Sequence, residues 1–121
     1  MKFVLVTRNE EIRQSAEGAF PASDRLMVFE DWEVALDACD GVDLIFVDQV
    51  ATLDAPHKIA GYERFAEAKM AHEVAASVPL VLIAPPLDYE LDFYTGYLGF
   101  VLAQVRQPVT DKIFRRAATW V

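Results

Sequence analysis

Four uninterrupted apolar runs stand out along the chain: "FVLV" (3–6), "LMVF" (26–29), "LIFV" (44–47) and "LVLI" (80–83). Successive side chains of a strand point to opposite faces, so a run that is apolar at every position reads as a strand buried on both sides. With "FVLAQVR" as a fifth, strands are predicted over 2–7, 25–30, 43–49, 78–84 and 100–106. Between them the pattern changes to helical spacing. Asn9 offers an N-cap, with Glu10 and Glu11 in the first turn where the helix dipole favours carboxylates, and this predicts a helix to about Phe20. Residues 21–24 read as a turn. Asp31 is the predicted cap of a second helix, on which Trp32, Ala35, Leu36 and Cys39 share a face before "CDG" closes it. A third helix is predicted over 62–76 and a short fourth within 85–100, stopped by Gly96 or Gly99. A last helix, capped by Asp111, carries Ile113, Phe114, Ala117 and Trp120. The stretch 49–62 has no period and contains Pro56 and Gly61, so it reads as an exposed loop or as a loop with one irregular turn.

Strands alternating with helices at these lengths imply a parallel sheet with right-handed crossovers. The simplest closure is a doubly wound α/β fold, a five-stranded parallel sheet in a three-layer sandwich. The length of 121 residues, 54% of them hydrophobic, suits one domain over 1–121 and is too short for two. Composition then narrows the partners. With 19 Asp+Glu against 11 Lys+Arg, a net charge of −8, the chain opposes phosphate backbones and anionic lipid, so neither nucleic acid nor membrane is expected and a protein surface is. The single cysteine, Cys39, forms no internal disulfide and reads as a small buried residue, which fits a reducing compartment. The first apolar run is too short for a signal segment or a span, so the cytoplasm is the expected location.

The chemistry centres on Asp48, which ends the third strand. Ligands of open α/β sheets collect at the carboxyl ends of strands. Asp48 therefore has three readings: a structural carboxylate that pairs with Arg8 or caps backbone amides, a working group, or part of a small-molecule or ion site that draws on Asp54, Asp88 and Asp111. No Gly-rich phosphate loop follows any strand, so no nucleotide or flavin cofactor is expected. His57 and His72 lie far apart, without Cys or carboxylates at ligand spacing, and read as surface residues and not as metal ligands.

Asp48 at the end of strand three, Pro79 opening strand four and Pro108 after strand five occur in an order of elements that, across nearly the whole chain, resembles the response-regulator receiver family. These are the CheY-like, flavodoxin-like phosphoacceptor domains of two-component signalling. The resemblance makes Asp48 the phosphoacceptor equivalent. The acidic pair that holds Mg²⁺ in the family falls on Thr7 and Arg8, the hydroxyl residue ending strand four falls on Ala84, the lysine before the strand-five proline is Gln107, and the aromatic switch position falls near Gln104. Phosphoryl transfer to a carboxylate needs a cation and fixed donors, so these losses imply a pseudo-receiver, not an enzyme, with no phosphotransfer and no metal. The alternatives are a phosphorylatable receiver in which Arg8 supplies charge in place of the metal, and a small-molecule sensor. Arg8 is expected to reach Asp48 and fill the metal's volume.

Receivers commonly associate through their fourth helix, fifth strand and fifth helix. That habit, with the aromatic excess of "DYELDFYTGYLGF", points to an interface through Tyr89, Phe93, Tyr94 and Tyr97. Core packing is the competing use of these rings. In a homodimer, Arg106, Lys112, Arg115 and Arg116 would face Asp88, Glu90 and Asp92 of a second copy, a contact that weakens as salt rises. Receivers also commonly precede an effector. In the CpaE/TadZ group of Tad/Flp pilus localisation ATPases, an atypical receiver-like domain precedes a MinD/ParA-like ATPase, and the present chain resembles such an N-terminal domain, implying a localisation or interaction role.

Overall fold

The apolar runs become strands and the helical stretches cover them on two sides. The computed structural model describes residues 1–56, 58–93 and 99–121. Strands β1 (Lys2–Val6), β2 (Arg25–Phe29), β3 (Leu44–Asp48), β4 (Leu80–Ala84) and β5 (Ala103–Arg106) form one sheet in the order β2-β1-β3-β4-β5. All neighbouring pairs are parallel. Every residue of the central β3 and of β4 is buried, whereas the edge strands β2 and β5 are only half covered.

Alternation along the strands feeds two cores. Val4, Val6, Ile45, Val47, Leu80 and Leu82 face α2 (Trp32–Asp37) and α3 (Ala60–Ala71), where Leu36 and Phe65 meet them. Phe3, Leu5, Leu44, Phe46, Val81 and Ile83 face α1 (Glu10–Glu17) and α4 (Asp111–Ala117), through Ile12, Ala16 and Phe114. On this second side Phe3 stacks on Phe20 at 4.3 Å and Phe46 meets Phe114 edge-on at 5.0 Å between ring centres. Each such side chain contributes about 1.5–3 kcal/mol by leaving water, and the two-sided burial of the sheet is what the unbroken runs encode.

The caps of the first two helices are as predicted. Asn9 Oδ1 accepts from the Glu11 and Ile12 amides at 2.9 and 3.2 Å, and Asp31 Oδ1 accepts from the Glu33 amide at 2.9 Å. Asp111 is not a cap: Thr110 holds that position, and Asp111 opens α4 with its carboxylate 2.8 Å from Arg115, one turn on. Helix α3 starts and stops earlier than its pattern suggests. His72 Nδ1 accepts from the Val74 and Ala75 amides while Nε2 lies 3.0 Å from Asp37, so the chain leaves the helix there and makes a separate 3-10 turn, Ala75–Ser77. The other predicted surface histidine, His57, lies outside the described residues.

Of the two readings of 49–62, the loop with one irregular turn is the one found, with Asp54, Pro56 and Lys58 exposed beyond that turn. It opens with a 3-10 turn, Gln49–Thr52, of which Gln49, Ala51 and Thr52 are buried. Gly61 lies in the first turn of α3, where an added Cβ would stand 2.2 Å from the Thr52 carbonyl oxygen. The predicted fourth helix is, within the described residues, the 3-10 turn Tyr89–Phe93. Two buried groups complete the layer of α2 and α3. Cys39 is 1% exposed, as expected of it, and its thiol donates to the Ala35 carbonyl at 3.3 Å. Lys69, not singled out by the sequence pattern, is 3% exposed, with Nζ donating to the Val78 carbonyl at 2.8 Å and standing 5.4 Å from the centre of the Phe100 ring.

Candidate functional site at the carboxyl edge of the sheet

Strand register decides which residues meet. Val6 pairs with Val47, Asp48 with Ile83 and Ala84 with Arg106, so the strand ends are level and Thr7, Asp48, Ala84 and Gln107 emerge at one edge. Asp48 is buried on the central strand. Its Oδ2 accepts from the Thr7 hydroxyl at 2.9 Å and its Oδ1 from the Val50 amide at 3.2 Å. The Thr7 oxygen in turn accepts from the Asn9 amide at 3.0 Å. The result is a short relay from the start of α1 to the carboxylate. Burial pushes the Asp48 carboxyl above its ordinary value, while the Thr7 hydroxyl and the Val50 amide, which favour the charged form, pull it back.

Further along the edge, Ala84 is fully buried and presents only a methyl group, and its carbonyl accepts from the Gln107 amide at 3.0 Å. Arg106 turns away from Asp48. Its guanidinium donates to the Pro85 carbonyl at 2.8 Å and to Asp92 at 2.5 Å, and lies 4.6 Å from the centre of the Tyr89 ring. Asp92 also accepts from Gln104 at 3.1 Å. This cluster fastens the Tyr89–Phe93 turn to β5 and leaves Tyr89 60% and Phe93 86% exposed, while Leu91 of the same turn is buried.

Solved structures with this architecture cover nearly the whole chain. The chemotaxis response regulator CheY4 of Vibrio cholerae matches with a TM-score of 0.71 at 16% identity, over 98% of this chain and 95% of that one. A CheY-like receiver domain protein from Methanospirillum hungatei matches at 0.70 and 11% identity, over 98% and 91%. The fold is that of the CheY-like receivers. A putative CpaE2 pilus assembly protein from Sinorhizobium meliloti shares it, with a TM-score of 0.66 at 16% identity over 99% of this chain and 98% of that one. Neither a protein-family model nor a curated protein matches the sequence.

Within this receiver fold the site does not fit a Mg²⁺ ion. A hard divalent cation needs several oxygen ligands, preferably charged. Here both oxygens of Asp48 are hydrogen-bonded, by Thr7 and Val50, and the end of the neighbouring β1 offers a hydroxyl and an arginine in place of carboxylates. Among the described residues no three His, Cys, Asp or Glu side chains stand together as a metal site requires. Of the other acidic candidates, Asp54 pairs with Arg64 and Asp111 with Arg115, while Asp54 and Asp88 line a cleft with Arg8 and Val50 beside the turn after β3.

One expectation is corrected. Arg8 does not pair with Asp48. It is exposed, it enters no ion pair among the described residues, and the partner of the carboxylate is Thr7. No local signal marks Thr7: it follows Val6, and the strand register that sets Val6 opposite Val47 brings it beside Asp48. Arg106, one of the cations expected to face a second copy, pairs with Asp92 within its own chain. Tyr94 and Tyr97 lie outside the described residues.

Proposed function

We propose that the chain is a pseudo-receiver, a protein-interaction or dimerisation module that has the receiver fold without its phosphotransfer. The observation that carries this reading is the state of Asp48: a buried carboxylate with both oxygens hydrogen-bonded inside the protein, beside a threonine instead of an acidic pair. An in-line attack on a phosphoryl donor needs a solvent-facing oxygen and compensating cationic charge. Ala84 supplies no hydroxyl and Gln107 no charge, which supports the same conclusion. The interaction role is supported by the exposed Tyr89 and Phe93, held on a turn that Arg106 and Asp92 tie to the sheet. A localisation role in pilus assembly is supported by the same fold in the putative CpaE2 protein, which the chain covers over 98% of its length.

Acetyl phosphate in the presence of Mg²⁺ tests the central claim. Intact mass is expected to stay unchanged. A gain of one phosphoryl group that disappears in Asp48→Ala would overturn the reading.

A further inference from the structure

We infer that the cleft between the turn after β3 and residues 85–91 is a binding site for a small apolar molecule bearing one carboxylate. The cleft encloses about 400 Å³, within the range of roughly 300–1,000 Å³ typical of small-molecule sites. It lies at the carboxyl edge of the sheet, where open α/β folds place their ligands. Val50, Leu53, Pro85, Pro86, Leu87 and Leu91 supply an apolar lining. Two of these are exposed well beyond ordinary core residues, Val50 at 47% and Leu87 at 69%, so an apolar occupant would cover surface that the chain itself leaves in water.

Charge selects the class of molecule. The charged residues lining the cleft are Arg8, Asp54 and Asp88. Asp54 is paired with Arg64 at 2.5 Å, and Asp88 has an interaction of its own. Arg8 is exposed and, among the described residues, in no ion pair, although the chain carries a net charge of −8. A planar guanidinium beside apolar walls matches a carboxylate in a two-pronged hydrogen bond. A phosphate dianion suits the cleft less well: it would need more cations than one, and the nearby aspartates repel it more strongly. This inference goes beyond the interaction-module reading and does not depend on it, since a pseudo-receiver with an empty cleft and a phosphorylated receiver with a filled one are both coherent.

The full chain would be titrated with phenylacetate and octanoate, with phenylacetamide and inorganic phosphate as controls, by calorimetry and by amide chemical shifts. Saturable binding of at least one acid is expected, with shifts at Val50, Leu53 and Leu91. Affinity should fall about tenfold or more for the amide and in Arg8→Gln, the loss expected for a charge-assisted pair. Val50→Trp, a change at an exposed rim position, should block binding while circular dichroism shows an intact fold. Absence of saturable binding by either acid, equal affinity for acid and amide, phosphate binding as tightly as the acids, or shifts confined to another face would each overturn the proposal.

Discussion

Asp48 carries its charge against its surroundings. A carboxylate taken out of water keeps its charge only as far as donors compensate, and Asp48 has a hydroxyl and one amide. Its folded-state value therefore lies above the ordinary 3.8. The folded protein then binds the proton more tightly than the unfolded chain. Asp48 favours folding most below 3.8, and that contribution is lost as pH rises through the raised folded value. Asp48→Asn cannot ionise and lacks this dependence, so wild type should gain stability relative to the variant on acidification from pH about 8 to about 4. Urea unfolding of both proteins across that range checks the sign, because the other carboxylates are common to both. Thr7→Val should cost about 1–3 kcal/mol, since it strips a donor from a buried charge, whereas Arg8→Ala should stay within about 0.5 kcal/mol. The reverse order would mean that the guanidinium holds the carboxylate.

At the scale of elements, packing overrides local preference most clearly at Gly61. Glycine weakens a helix by about 1 kcal/mol relative to alanine, so propensity alone favours Gly61→Ala. The Cβ of that alanine would lie 2.2 Å from the Thr52 carbonyl oxygen and 3.1 Å from the Asp54 nitrogen, both backbone atoms that cannot swing aside. The substitution should therefore destabilise by about 1–3 kcal/mol, measured by denaturant unfolding, and a gain would show that the turn is free to move off the helix. The same residue explains why part of the fold was illegible. Glycine and proline in 49–62 carry the usual marks of a loop, and no capping side chain announces the start of α3 at Ile59. The strands and the caps at Asn9 and Asp31 were legible because each rests on local chemistry, an apolar run or a side-chain acceptor next to free amides. Thr110 and Asp111 are adjacent cap-forming residues, and the pattern could not rank them. In the site, charge complementarity suggested Arg8 for Asp48, but strand register, a non-local property, supplied Thr7.

For the whole molecule, the engagement of Arg106 with Asp92 and of Arg115 with Asp111 changes the forces available to a second copy. Cations already paired inside the chain offer little to an acidic stripe across an interface. What remains is apolar surface at Tyr89 and Phe93, with Lys112 and Arg116 as exposed cations in no ion pair among the described residues, against the repulsion of two chains of net charge −8. Screening removes repulsion and leaves apolar burial intact, so self-association should strengthen between about 50 mM and about 500 mM salt. Phe93→Ser should weaken it. Sedimentation over a concentration series at both salts decides the matter, and a dimer that loosens with salt would restore the charge-matched contact.

The solitary thiol of Cys39 provides a clock for opening of the α2 layer. At 1% exposure, and with burial raising its pKa, it offers an outside reagent almost no thiolate while the fold is closed. Modification by an aromatic disulfide must then wait for the packing around Cys39 to part, and its rate relative to an unfolded peptide gives the free energy of that parting. If α2 opens alone, the rate will depend weakly on added urea. If reaction requires global unfolding, it will follow urea as steeply as the equilibrium transition does.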